Sequence, residues 1–126
     1  MSRIVIIDDD NDILETGSLV LKAHGFEVLT ANNPGDGFEI VTKEHPDLII
    51  LDVMMEEPDD GFFLAQKIRL NKIETPILMY SSVSKALGFG FGKGDMVPVD
   101  DFVEKPVSPD VLVAKVKELL KKSAEV

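Results

Sequence analysis

Apolar runs in this chain end in groups that could do chemistry. Ile4-Val5-Ile6-Ile7 leads into Asp8-Asp9-Asp10, Leu48-Ile49-Ile50-Leu51 into Asp52, Ile77-Leu78-Met79-Tyr80 into Ser81-Ser82, and Phe102-Val103 into Glu104-Lys105-Pro106. Clustered carboxylates repel one another, so a site holding several ionised ones needs a cation. Oxygen donors in a chain without cysteine point to a hard ion such as Mg2+, which takes one or two carboxylates and keeps waters for an incoming phosphate. A nearby lysine adds a fixed positive charge able to hold a phosphoryl oxygen. Each group also has a plainer reading. An aspartate run before a helix is ordinarily a solvated cap, a role open to Asp10 or Asp12, Ser81 and Ser82 suit a turn, and Lys105 suits the surface.

Positioning such groups together requires strands whose ends meet. Ile4–Ile7 reads as a strand, and Asn11–His24 as a helix carrying Ile13, Leu14, Val20 and Leu21 and stopped at Gly25. Glu27–Ala31 is a second strand. Asn33-Pro34 opens a helix with Phe38 and Val41 that His45-Pro46 closes. Leu48–Leu51 has no polar alternation and predicts a central strand covered on both faces. Phe62–Leu70 predicts a helix, Pro76–Tyr80 a strand and Asp101–Val103 a short strand. The last helix starts at Ser108, Pro109 and Asp110, buries Leu112, Val116, Leu119 and Leu120, and ends in Lys121 and Lys122. Strands alternating with helices predict a doubly wound α/β domain, a parallel sheet with helices on both faces, whose ligands bind beyond the carboxyl ends of the strands.

Composition bounds the function. The chain has 126 residues, enough for one domain spanning 1–126, with 23 acids against 13 bases and a net charge of −10. Residues 1–60 hold 15 acids and 3 bases, a net of −12, while residues 61–126 hold 8 acids and 10 bases, a net of +2. Such a balance argues against direct nucleic-acid or membrane binding. The absence of cysteine excludes disulfides, zinc–thiolate sites and cysteine nucleophiles. No apolar run approaches the ~20 residues of a membrane span, and the N-terminus lacks a signal-peptide pattern, so a cytoplasmic location is expected. Glycines 88, 90, 92 and 94 fit neither nucleotide motif, because Leu87, Lys93 and Asp95 stand where glycine is required. His24 and His45, near helix ends, read as ordinary surface histidines.

Taken in order and at this spacing, Asp8-Asp9 after an apolar strand, Leu48-Ile-Ile-Leu-Asp52-Val-Met-Met, Ser81 after Ile-Leu-Met-Tyr, and Lys105-Pro106 after Phe102-Val-Glu resemble the receiver domain of two-component response regulators, from Ile4 to Leu120. The resemblance implies a flavodoxin-like fold with five parallel strands in order 2-1-3-4-5. It also implies phosphoryl transfer from a phosphohistidine on a sensor histidine kinase or phosphotransfer protein to Asp52. By position, Asp8, Asp9, Asp52 and the backbone carbonyl of Met54 would serve Mg2+, Asp8 mainly through water. Lys105 and Ser81 would hold the phosphoryl group, and Phe102 would follow Ser81 as the switch. Phosphoryl transfer needs positioning and positive charge more than acid–base chemistry, which suits these groups.

The chain also departs from the family. Glu56 stands where proline is usual after Asp52, Pro58 comes two residues later, and Gly61 comes one residue late, so one residue is added in a loop carrying Glu56, Glu57, Asp59 and Asp60. That loop is either solvated or a source of negative potential that alters kinase choice or Mg2+ affinity. Between Ser81 and Phe102, Gly88-Phe89-Gly90-Phe91-Gly92-Lys93-Gly94 replaces the family's alanine-rich fourth helix. Each interior glycine costs a helix about 1 kcal/mol relative to alanine, so that helix is expected to be short, displaced or mobile, with output by an order–disorder change exposing Phe89 and Phe91. Met54 and Val83 occupy the positions that tune dephosphorylation in the family, and neither side chain can orient water by hydrogen bonding, so slow self-hydrolysis is expected.

The expectation is therefore a phosphorylatable receiver, not a conventional enzyme though it assists its own phosphorylation. It would be read by a downstream protein or by dimerisation on the face formed by the fourth helix, fifth strand and fifth helix. Two rivals remain at this point: a phosphorylation-independent receiver-like binding module, and an aspartate-nucleophile phosphatase, whose second aspartate is replaced by Met54.

Overall fold

The chain folds as nine elements: β1 (Arg3–Ile7), α1 (Asn11–Ala23), β2 (Glu27–Ala31), α2 (Pro34–Glu44), β3 (Leu48–Asp52), α3 (Asp60–Leu70), β4 (Ile77–Ser81), β5 (Asp101–Glu104) and a last helix, α4 (Pro109–Ala124). This computed structural model describes residues 2–52, 60–81, 99–104 and 108–124, with the backbone alone at Ser81, Phe102, Glu104, Ser123 and Ala124. The strands form one parallel sheet in the order β2-β1-β3-β4-β5, as the resemblance implies. The expected fourth helix and its glycine run lie outside the described residues.

The helix ends follow the chemistry of their residues. Asp10 caps α1, its side chain accepting from the N–H groups of Asp12 and Ile13, so the cap role falls to Asp10 and not to Asp12. At the other end the N–H of Gly25 donates to the Lys22 carbonyl and that of Phe26 to the Leu21 carbonyl, a paired closure that requires the left-handed φ of 90° at Gly25. Asn33 caps α2, with Pro34 in the first turn. His24 and His45 are the C-terminal caps of α1 and α2, both exposed. The Ser108 hydroxyl accepts from the N–H of Val111 at the start of α4.

Several boundaries differ from the sequence expectation by a residue or two. Helix α3 begins at Asp60, not at Phe62, because a carboxylate in the first turn complements the helix dipole. Asp60 therefore belongs to a helix and not to the acidic loop. β4 runs through Ser81 and β5 through Glu104 because the two residues pair with each other across the ladder.

Strand alternation sorts the core into two layers. Ile4, Ile6, Leu48, Ile50, Leu78 and Val103 face Leu14 and Leu21 of α1 and Leu112, Val116 and Leu119 of α4. Val5, Ile7, Ile49, Leu51, Ile77 and Met79 face Val41 of α2 and Leu64, Ala65 and Ile68 of α3. All five residues of β3 are buried, as expected of a strand covered on both faces. With both faces packed, the carboxyl ends of the strands are where polar groups can gather.

Candidate functional site: an acid cluster at the strand ends

The register of β1 and β3 sets Ile7 opposite Leu51. One residue further on, Asp8 and Asp52 stand side by side at the rim of the sheet. Asp8 is 1% exposed and Asp52 5%, and these are the two buried charged residues among those described. Exposed Asp9 joins them, and one carboxylate oxygen from each lies within 4.8 Å of the others.

The backbone fixes Asp8 from two sides. Its N–H donates to the Ala31 carbonyl at 3.1 Å, continuing the ladder toward β2. Its Oδ1 accepts the Asp10 N–H at 2.9 Å. Asp10 then turns its own carboxylate toward α1, so adjacent aspartates divide between a cap and a cluster.

Three carboxylates this close repel one another, and burial of two of them removes the water that would otherwise screen the repulsion. A small divalent cation held between them would offset that repulsion. The donor set suits a hard ion, being all oxygen with no sulfur or nitrogen, and it leaves coordination positions for water or an incoming phosphate. The arrangement can thus hold a metal ion against a carboxylate, Asp52, that sits at the end of the central strand.

Of the other sequence candidates, Ser81 ends β4, where its backbone pairs with Glu104, and Phe102 sits in β5 opposite Met79. Met54, Val83 and Lys105 lie outside the described residues, as do Glu56, Glu57, Asp59, Phe89 and Phe91. Tyr80 is a neighbour that motif reading passed over. It is in register with Asp52 on the adjacent strand and packs with the α1 and α4 layer. The period-two alternation of β4 was the available signal, but only the strand order makes β3 its neighbour.

Residues 4–117 match the family model of the response regulator receiver domain. The chain belongs to that family. The receiver domain is 32% identical over 126 residues to the cell cycle response regulator CtrA of Brucella ovis, an alignment covering 96% of this chain and 51% of that protein. It thus spans about half the length of the curated relatives it matches. Among solved structures it resembles a CheY-like response regulator receiver domain protein from Methanospirillum hungatei, at 27% identity and a TM-score of 0.85, covering 99% of this chain and 98% of that one. It also resembles chemotaxis protein CheY4 of Vibrio cholerae, at 27% identity and a TM-score of 0.82, covering 94% and 98%. Receiver domains are the phosphoacceptor modules of two-component signalling and interact with sensor kinases and downstream effectors. In this receiver domain the acid cluster lies at the strand ends, and no helix among the described residues is long and apolar enough to cross a membrane.

Proposed function

We propose that Asp52 is the phosphoacceptor and that Asp8, Asp9 and Asp52, with the backbone carbonyl of Met54, hold the Mg2+ that its phosphorylation requires. The convergence of three carboxylates within 4.8 Å at the ends of β1 and β3 carries this reading. One Asp52 oxygen attacks the phosphorus of a phosphohistidine on a sensor histidine kinase or phosphotransfer protein. The P–N bond breaks, its electron pair returns to the imidazole, and an acyl phosphate forms on Asp52. Bound Mg2+ supplies positive charge to the phosphoryl oxygens. Burial of Asp52 at the end of a fully packed strand holds the nucleophile still.

By the family's motif, Lys105 and Ser81 would hold the phosphoryl oxygens and Phe102 would report their occupancy. Met54 and Val83 would leave the attacking water unaided and lengthen the life of the acyl phosphate. The signal would pass to a downstream protein or a second copy through the face containing β5 and the last helix.

The test is incubation with Mg2+ and a small acyl phosphate donor. A mass increase of about 80 Da, mapped to Asp52, abolished by chelation and missing from Asp52→Ala, is the expected result. An intact protein that acquires no adduct, or acquires one elsewhere, would discard this reading in favour of a phosphorylation-independent binding module.

A further inference from the structure

A tight contact beneath the acid cluster carries a consequence for its geometry. Gly37 is buried in the first turn of α2, where its N–H donates to the Asn33 carbonyl at 3.0 Å. A Cβ built on Gly37 would lie 2.7 Å from Cδ1, 2.9 Å from Cγ2 and 3.0 Å from Cγ1 of Ile7. Three atoms of one side chain fill the space a methyl group would need, and two of them are branch atoms close to the strand. Ile7 has no exposed surface, is in register with Ala31 and Leu51, and belongs to the same buried cluster as Val41 and Leu64. It cannot yield without moving α2 or the end of β1.

The next residue in the chain is Asp8. Its N–H and Oδ1 are already committed and it is 1% exposed, so a displacement of Ile7 passes through one rigid peptide to the carboxylate. We propose that Gly37 is a positioning residue for the cation site: the bare glycine lets α2 seat on Ile7 and so sets where Asp8 stands relative to Asp9 and Asp52. The inference rests on the reading of those three aspartates as a divalent-cation site.

The two alkaline-earth ions supply a readout that packing alone would not move. Mg2+ demands near-octahedral geometry at short distances, whereas Ca2+ accepts irregular ligand sets. A misplaced Asp8 should therefore weaken Mg2+ binding more than Ca2+ binding. Supporting groups beyond the ligands typically change metal affinity by about tenfold or more, and Gly37→Ala is expected to raise the Mg2+ dissociation constant by about that factor with a smaller change for Ca2+.

The experiment titrates each ion by amide NMR in the full chain. Gly35→Ala is the control, because it alters the same helical turn while meeting nothing closer than Asn33 Oδ1 at 3.4 Å. The double variant Ile7→Ala with Gly37→Ala, which removes all three Ile7 atoms that the new methyl would meet, should restore the wild-type Mg2+ to Ca2+ preference. If Gly37→Ala is folded and its preference is unchanged, the proposal is overturned. It is equally overturned if the double variant folds but still disfavours Mg2+, a comparison that stands even where the single variant is unfolded. Failure of the wild-type protein itself to bind Mg2+ would instead refute the cation site.

Discussion

Arg69 and Asp100 meet through a 2.9 Å ion pair at the end of the sheet opposite the acid cluster. The same Asp100 oxygen accepts the N–H of Ile77 at 2.8 Å, and the Asp100 N–H returns a bond to the Ile77 carbonyl at 2.9 Å. Arg69 also donates to the carbonyls of Ile73 and Thr75 at 2.9 and 2.8 Å. One guanidinium and one carboxylate thus join the end of α3, the turn after it and the approach to β5.

Loss of that carboxylate leaves the Ile77 N–H without its acceptor and removes the ion-pair partner of Arg69 Nη2, while Nη1 keeps the Ile73 and Thr75 carbonyls. Asp100→Ala is expected to cost about 1–2 kcal/mol, the lower part of the range for an orphaned donor because Asp100 is partly solvated. Asp100→Asn keeps an acceptor for Ile77 and should cost less. Urea unfolding measures both, and equal costs would show that the Ile77 bond contributes nothing.

Neighbouring aspartates should separate by function. Asp10→Ala removes the cap of α1 and is expected to lower stability by about 1 kcal/mol with Mg2+ binding nearly intact. Asp9→Ala removes an exposed member of the acid cluster and should weaken Mg2+ binding while leaving unfolding in chelator nearly unchanged. Parallel metal titrations and urea curves decide the matter, and an exchange of the two phenotypes would reverse the assignment.

Alanine at a second helical glycine, Gly17, should stabilise the fold. A Cβ on Gly17 would meet only the flexible tip of Ile6, Cδ1 at 3.0 Å. A cavity of about 200 Å3 bordered by Ile6, Val20, Tyr80 and Leu112 gives that tip room to move. Replacing an interior helical glycine by alanine favours the helix by up to about 1 kcal/mol, so Gly17→Ala should raise the urea midpoint. A lowered midpoint would mean that Ile6 cannot give way.

Lys115 supplies a pH test. Its ammonium donates to Asp101 Oδ2 at 2.8 Å, and that hydrogen bond, with the negative charges of Asp101 and Glu118, raises its pKa above 10.5 against a smaller desolvation effect. A raised folded-state pKa contributes stability that is fully present below the unfolded value and lost as pH rises through the folded one. Lys115→Met should therefore cost up to about 1 kcal/mol near neutrality, a modest figure because the pair is about one-third exposed. The difference from wild type should shrink above pH 10.5. A gap that is constant across this range would assign the effect to packing of the lysine stem.

Much of the fold was legible locally. Strand and helix segments follow from periodicity, the closure of α1 from Gly25, the start of α2 from Asn33-Pro34, and the buried centre of the sheet from the unbroken run Leu48–Leu51. Placement of chemistry at the carboxyl ends of strands follows from a parallel sheet. These features depend on residues within a turn or two of one another, and the strand order came with the family resemblance.

The sequence by itself determined which aspartates stand at strand ends and which segments carry them. Only the tertiary structure decided that Asp8 and Asp52, 44 residues apart, share one buried rim beside exposed Asp9, that Asp10 serves the helix instead, that Arg69 closes on Asp100, and that Gly37 rests against Ile7. The reason is physical. Local pattern records which face of an element is apolar, whereas contacts between distant residues depend on strand order, register and the depth to which each helix settles on the sheet.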